Sequence, residues 1–140
     1  MFRNILLVID NSEGAHRCAG RCVDLARALS SRLQVVFVMS PLPAVARLAD
    51  FIGPDACQRR AITHAQDALE HVAAIATAQG VAVTTRYIID TRHAVAIVDA
   101  ADHGGCDLVV LYGHPQDSRS LRHVARNVVL DGDTPVMVFP

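Results

Sequence analysis

The segment LVVLYGHPQDSRSLRHVARNVV, residues 108–129, contains an apolar run, a single glycine, a short polar stretch and a run with helical periodicity. A short apolar run followed by turn residues and an amphipathic stretch is typical of a strand, a loop and a helix. A glycine loop that leads into a helix can bind phosphate through its backbone N–H groups. The segment therefore predicts a βα unit, and its loop is a candidate phosphate site.

The same alternation continues along the whole chain. We expect strands at 4–9, 33–39, 81–89, 107–112 and 135–139, with helices at 12–30, 54–79, 92–103 and 118–130. Residues 40–54, with two prolines near their start, are expected to be irregular or briefly helical. Strict alternation of strands and helices predicts a three-layer, doubly wound α/β fold with a five-stranded parallel sheet. We expect residues 1–140 to form one domain, since no linker or repeat interrupts the pattern.

Composition argues against several classes of protein. Of the 140 residues, 51% are hydrophobic and 19% are charged, the net charge is −1, and all thirteen basic residues are arginines. A protein that tracks nucleic acid phosphates usually has an excess of positive charge, so no nucleic acid partner is expected. No apolar run reaches the length of a membrane span or a signal peptide, and we expect a cytoplasmic protein with its four cysteines reduced.

Three segments resemble the universal stress protein family. They are ILLVIDNSEGAHRCAGRCVDLARAL at 5–29, GCDLVVLYG at 105–113 and HVARNVVLDGDTPVMVF at 123–139. The resemblance implies a flavodoxin-like sheet of order 3-2-1-4-5, the fold also called adenine nucleotide alpha hydrolase-like. It also implies a homodimer through the last strand, Val136, Met137, Val138 and Phe139. An exposed apolar edge strand promotes aggregation unless another strand pairs with it or another element covers it.

The resemblance further implies that the phosphate loop is degenerate. ATP-binding members of the family carry Gly-x2-Gly-x9-Gly-Ser/Thr after the fourth strand. Gly113 matches the first glycine, but Gln116 stands at the second, and Arg122 and His123 stand where Gly-Ser is expected. The segment is also about four residues too short. The chain is thus expected to belong to a branch that lacks the intact motif, with no cofactor held tightly.

Two positions of the family's base pocket are retained. Asp10 matches the aspartate that contacts adenine or ribose, and Val38 matches the apolar residue beneath the base. The residues alone leave an alternative open for Asp10, because a carboxylate before a helix is also a routine N-terminal cap. Gly113 also has an alternative role, that of a turn residue with positive φ. Arg119, Arg122 and Arg126 could hold an anion by their guanidinium groups or form a solvated helix face.

The remaining side chains suggest no catalysis. No nucleophile with its base, no carboxylate pair and no metal triad is recognisable, and Cys18 and Cys22 are expected to be buried as small hydrophobic residues. His64 and His71 are expected on a partly exposed helix face. We therefore expect a non-catalytic stress-response protein that acts by protein contacts, with weak or absent ATP binding. The alternatives are a sensor of ATP or AMP with a modified phosphate site and, less supported by the residues, a small hydrolase.

Overall fold

The computed structural model describes residues 1–41, 54–113 and 120–140, with the backbone alone described at 54–55 and 120–123. The predicted alternation of strands and helices is confirmed in these ranges. The strands are β1 (Asn4–Ile9), β2 (Arg32–Met39), β3 (Val83–Ile89), β4 (Leu108–Tyr112) and β5 (Val136–Phe139). The helices are α1 (Glu13–Leu29), α2 (Pro54–Ala78), α3 (His93–His103) and α4 (Ser120–Asp131).

All five strands are parallel and follow the order β3-β2-β1-β4-β5, so the predicted fold class is confirmed. The central strand β1 pairs with β2 on one side, Ile5 opposite Leu33, and with β4 on the other, Ile5 opposite Leu108. The order of the strands reverses between β1 and β4. In a doubly wound sheet, the crevice at that reversal is where ligands usually bind.

Two apolar layers cover the sheet, one on each face. On one face, Ile5 and Leu7 of β1 pack with α1 and α2, while on the other Leu6 and Val8 pack with α3 and α4. Such two-sided burial explains why β1 and β4 are continuous apolar runs instead of alternating ones. Cys18 and Cys22 lie in the first layer, where they fill space as small hydrophobic side chains.

The third strand begins two residues later than the sequence suggested. Gly80 has a φ of 74°, the left-handed conformation expected of a helix C-cap glycine, and the N–H of Val81 donates to the carbonyl oxygen of Ala76 at 2.9 Å. Residues 79–81 are thus used to end α2, and β3 can start only at Val83. Among the described residues, no helix has both the length and the apolar character that a bilayer crossing requires.

Candidate functional site

A small cavity lies at the carboxyl ends of β1 and β2, on the face covered by α3 and α4. Its volume is about 130 Å³. It is lined by Val8, Ile9, Asp10, Val38, His93, Ile97 and Val124. Pockets for drug-sized ligands usually measure about 300–1,000 Å³, and one water occupies about 30 Å³ of liquid. The cavity therefore has room for roughly one ring system, and most of a nucleotide would lie outside it.

Asp10 is held at this edge by the turn that leads from β1 into α1. Its Oδ1 atom accepts hydrogen bonds from the backbone N–H of Ser12, at 2.8 Å, and from the Ser12 hydroxyl. The Ser12 Oγ atom in turn accepts from the N–H of Ala15 at 3.1 Å and caps α1. Asp10 thus orients the capping serine. An ionised carboxylate accepts up to about four hydrogen bonds, so this structural role leaves capacity at Oδ2 for a ligand.

Val38 and Asp10 line the same cavity, although 28 residues separate them in the chain. Val38 is half-buried and packs with the layer beneath α3 and α4. The parallel pairing of β1 with β2, Val8 opposite Val36, brings the two carboxyl ends together. Their roles as ligand contacts remain predictions that follow from the family resemblance.

Gly113 has a different structural role from the one suggested by the sequence. Its N–H donates to the carbonyl oxygen of Phe139 at 2.8 Å, and a Cβ at this position would lie 3.0 Å from Cγ1 of Val138. In the described part of the chain, positive φ among glycines occurs at Gly80 and Gly105, so the expected positive φ at Gly113 is wrong. The close approach of Val138, and not backbone strain, favours glycine here. Gly113 is not among the described residues that line the cavity.

The rest of the predicted phosphate site falls mostly outside the described residues. Gln116 and Arg119 lie there entirely. The backbones of Arg122 and His123 belong to the first turn of α4, but their side chains are not described. Arg126, one turn further along α4, is exposed.

The structure adds one polar pair that sequence reasoning missed. Ser40 Oγ and His93 Nε2 lie 2.9 Å apart, within hydrogen-bonding distance, although 53 residues separate them. Ser40 directly follows β2, and His93 is the first residue of α3 and lines the cavity. A signal was present, because a polar residue after one strand and a histidine at the start of the helix after the next strand share the carboxyl edge of the sheet.

Histidine and cysteine side chains elsewhere in the described residues take part in packing. No cluster of three metal-binding side chains is present in that part of the chain. The His71 ring packs edge-on against His16 of α1, with the ring centroids 5.6 Å apart, so it takes part in a contact between helices. Burial raises the pKa of Cys18 to about 11 and that of Cys22 to about 12, which keeps both thiols protonated and unreactive near neutral pH.

Comparison with known proteins agrees with the resemblance seen in the sequence. The model of the universal stress protein family matches residues 1–140. No curated protein sequence matches the chain.

Among solved structures, one similar protein is from the universal stress protein family of Burkholderia pseudomallei. It has 22% identity and a TM-score of 0.80, with coverage of 99% of this chain and 96% of that one. A universal stress protein of Archaeoglobus fulgidus in complex with dAMP has 20% identity and a TM-score of 0.72, with coverage of 99% and 98%. A universal stress protein in complex with cAMP has 19% identity and a TM-score of 0.69, with coverage of 99% and 96%. These likenesses support the fold, and the family model covers the full sequence: the chain belongs to the universal stress protein family.

Proposed function

We propose that this chain is a non-catalytic stress-response protein that acts through contacts with other proteins and holds ATP weakly or not at all. The observation that carries the claim of weak ATP binding is the size of the cavity at the carboxyl edge of the sheet, about 130 Å³. A cavity of that size cannot enclose the triphosphate together with the nucleoside. Phosphate binding would then depend on the loop after β4.

The sequence of that loop supports weak phosphate binding. Glycines let backbone N–H groups approach a phosphate closely, because no Cβ stands in the way. Gln116 replaces one of these glycines, and Arg122 and His123 replace the Gly-Ser pair. The loop has therefore lost most of the residues that would form a backbone cradle for phosphate.

A candidate surface for protein contacts lies at the β5 edge of the sheet. Val138 of β5 is 45% exposed, and Val129 and Leu130 of α4 are 56% and 68% exposed. The opposite edge strand, β3, also exposes Tyr87 and Ile89, but it carries a charged residue, Arg86, which discourages pairing with another strand. The four residues of β5 carry no charge. This contrast supports a homodimer in which the β5 strands of two copies meet.

A specific observation favours a second candidate function, the binding of a nucleoside-sized ligand. Asp10 and Val38, which the resemblance assigns to the base and ribose, line one cavity with room for a single ring system. Two universal stress proteins of similar fold are complexes with dAMP and cAMP. Under this second candidate function, the protein is a sensor whose phosphate site is modified.

Calorimetric titration with ATP tests the first proposal. We expect no affinity tighter than the millimolar range, and a micromolar Kd would contradict the proposal. Asp10→Asn is the appropriate site variant, because an asparagine Oδ1 can still accept the hydrogen bonds from Ser12 and preserve the start of α1. Asp24→Asn, on the exposed face of α1, is a matched control for the change in charge.

A further inference from the structure

A larger cavity lies at the opposite edge of the sheet, where β1, β2 and β3 begin, and is called here the amino-edge cavity. Its volume is about 620 Å³, within the range of about 300–1,000 Å³ that is usual for ligand pockets. Three arginines line it: Arg3 directly precedes β1, Arg32 begins β2, and Arg27 lies in the last turn of α1. None of its described lining residues is acidic. Three positive charges from separate segments of the chain therefore meet at one cavity.

These arginines have no carboxylate partner in the described part of the chain. An ion pair joins Arg92 to Asp90, but in those ranges none joins an arginine of the amino-edge cavity to an acidic side chain. Asp107 lies nearby and is used differently. Its Oδ2 atom accepts the backbone N–H of Arg3 at 2.8 Å, and its Oδ1 atom accepts that of Asn4 at 3.0 Å. Asp107 therefore fixes the backbone at the start of β1 and leaves the guanidinium groups open to a ligand.

The balance of charge at the cavity remains positive. Helices α1 and α2 both end there, at Ser30 and Gly80, and each helix C-terminus carries about −0.5 of an elementary charge. Together with the carboxylate of Asp107, these groups contribute about −2 against about +3 from the guanidinium groups. Like charges that are held close together repel one another. A bound anion would relieve that repulsion.

The end of α1 provides an independent observation. Ser30 and Gly80 cap their helices in the left-handed conformation, with φ of 55° and 74°. In both caps the next N–H donates back to a helix carbonyl, from Ser31 at 2.8 Å and from Val81 at 2.9 Å. Glycine adopts this conformation without strain, whereas a residue with a Cβ does not. The serine thus brings a hydroxyl to the amino-edge cavity at a cost in stability that glycine avoids at the end of α2.

We infer that the amino-edge cavity binds a small molecule that carries two or more phosphate groups, held by Arg3, Arg27 and Arg32 with the Ser30 hydroxyl as a further donor. This site goes beyond the proposed function, and it does not depend on the crevice at the carboxyl edge. Guanidinium groups match the geometry of phosphate oxygens. A phosphate group offers three acceptor oxygens, which suits donors that approach from three segments better than the two oxygens of a carboxylate do.

Pyrophosphate is the probe for the test, titrated into the ¹⁵N-labelled full chain. The N–H signals of Ser30 and Gly80 are expected to shift on binding. Arg27→Gln and Arg32→Gln are each expected to weaken pyrophosphate binding about tenfold, the effect of losing a hydrogen bond to a charged group. Arg27→Lys keeps the charge but loses the planar fork, so its loss should be smaller than that of Arg27→Gln. Orthophosphate is expected to bind at least tenfold more weakly than pyrophosphate.

The matched control is Arg17→Gln on the same helix. Arg17 is exposed, and ten residues of helix place it about 15 Å from Arg27, so its loss should leave pyrophosphate binding unchanged. Ser30→Gly separates a binding role from a structural one. It is expected to raise the urea midpoint, because strain at the cap is relieved, and to weaken pyrophosphate binding about threefold, because a donor is lost. A raised midpoint with unchanged binding would overturn the role of Ser30.

Three other results would overturn the inference. The first is no shift at Ser30 and Gly80 at millimolar pyrophosphate. The second is an equal loss of binding in Arg17→Gln and Arg27→Gln, or shifts confined to Gly113 and α4, because either would place the anion elsewhere. The third is citrate binding as tight as that of pyrophosphate, which would contradict the assignment of a phosphate ligand.

Discussion

Gly14 on α1 and Tyr112 at the end of β4 touch so closely that Gly14→Ala is expected to destabilise the protein. A Cβ at position 14 would lie 1.8 Å from Cζ and 2.1 Å from the hydroxyl oxygen of the tyrosine ring. Tyr112 is only 5% exposed and belongs to the apolar layer beneath α1 and α2. The ring cannot yield without disturbing that layer.

The magnitude follows from two opposing effects. Replacing glycine by alanine inside a helix stabilises it by about 0.5–1 kcal/mol. Forcing extra volume into a packed core costs about 1–3 kcal/mol, so Gly14→Ala is expected to lose about 1 kcal/mol in net stability. Gly20 lies on the same helix, and a Cβ at that position would meet no heavy atom within 4 Å. Gly20→Ala should therefore stabilise the protein.

Urea unfolding of both variants at one temperature measures the difference. Gly14 is the second residue of α1, where the propensity gain is smaller than at the interior Gly20, so the difference contains the overpacking cost of about 1–3 kcal/mol plus up to about 1 kcal/mol from propensity. A double-mutant cycle with Tyr112→Ala assigns the cost to the ring, since Gly14→Ala should no longer destabilise once the ring is gone. Equal stabilities of the Gly14→Ala and Gly20→Ala proteins would refute the reasoning.

Three further predictions concern the α1 cap, the β5 edge and the buried thiols. Ser12→Ala removes the cap of α1 and is expected to cost about 1 kcal/mol in urea unfolding, whereas an unchanged midpoint would show that the cap contributes nothing. Val138→Glu places a charge on the β5 edge and should lower the molar mass measured by light scattering from that of a dimer to that of a monomer. Thr84→Glu on β3 is the control, and an unchanged mass for Val138→Glu would place the interface elsewhere. Burial raises the pKa of Cys18 to about 11 and that of Cys22 to about 12. Both thiols should therefore resist Ellman's reagent at pH 8 until guanidinium unfolds the chain. Rapid modification of both in the native protein would contradict their burial.

Residue Phe139 illustrates why the structure changes the choice of variant for the dimer. From the sequence, Phe139→Asp is a test of the dimer, because it places a charge in the edge that is expected to pair. In the structure, Phe139 packs against the apolar layer beneath α1, and the guanidinium carbon of Arg21 lies 5.9 Å from its ring centroid. Its replacement would disturb the protomer as well as the edge. Val138 is more exposed and gives a cleaner measurement.

Much of the fold could be predicted because local pattern and global topology agree. The apolar runs of β1 and β4, buried on both faces, have the continuous character that only the inner strands of a parallel sheet require. The boundary of β3 was predicted less well, because the residues after Gly80 serve the cap of α2 before the strand begins. Backbone hydrogen bonds that tie a helix end to a strand start are not visible in hydrophobic periodicity.

The candidate site could be predicted only in part, for a different reason. Asp10 follows from its position at the end of a strand and Val38 from the family resemblance, and the structure places both in one cavity. The volume of that cavity depends on how Ile97 and Val124 pack from two helices, which no single segment reveals. The Ser40 and His93 contact likewise joins the ends of elements that are distant in the chain.

A side-by-side titration of ATP and adenosine against the wild-type protein tests most directly the central claim that the phosphate chain is not held. If the 130 Å³ cavity is the binding site and the loop after β4 does not bind phosphate, ATP will bind no more tightly than adenosine. Micromolar ATP binding, at least tenfold tighter than that of adenosine, would show that the phosphates are held after all and would contradict the account.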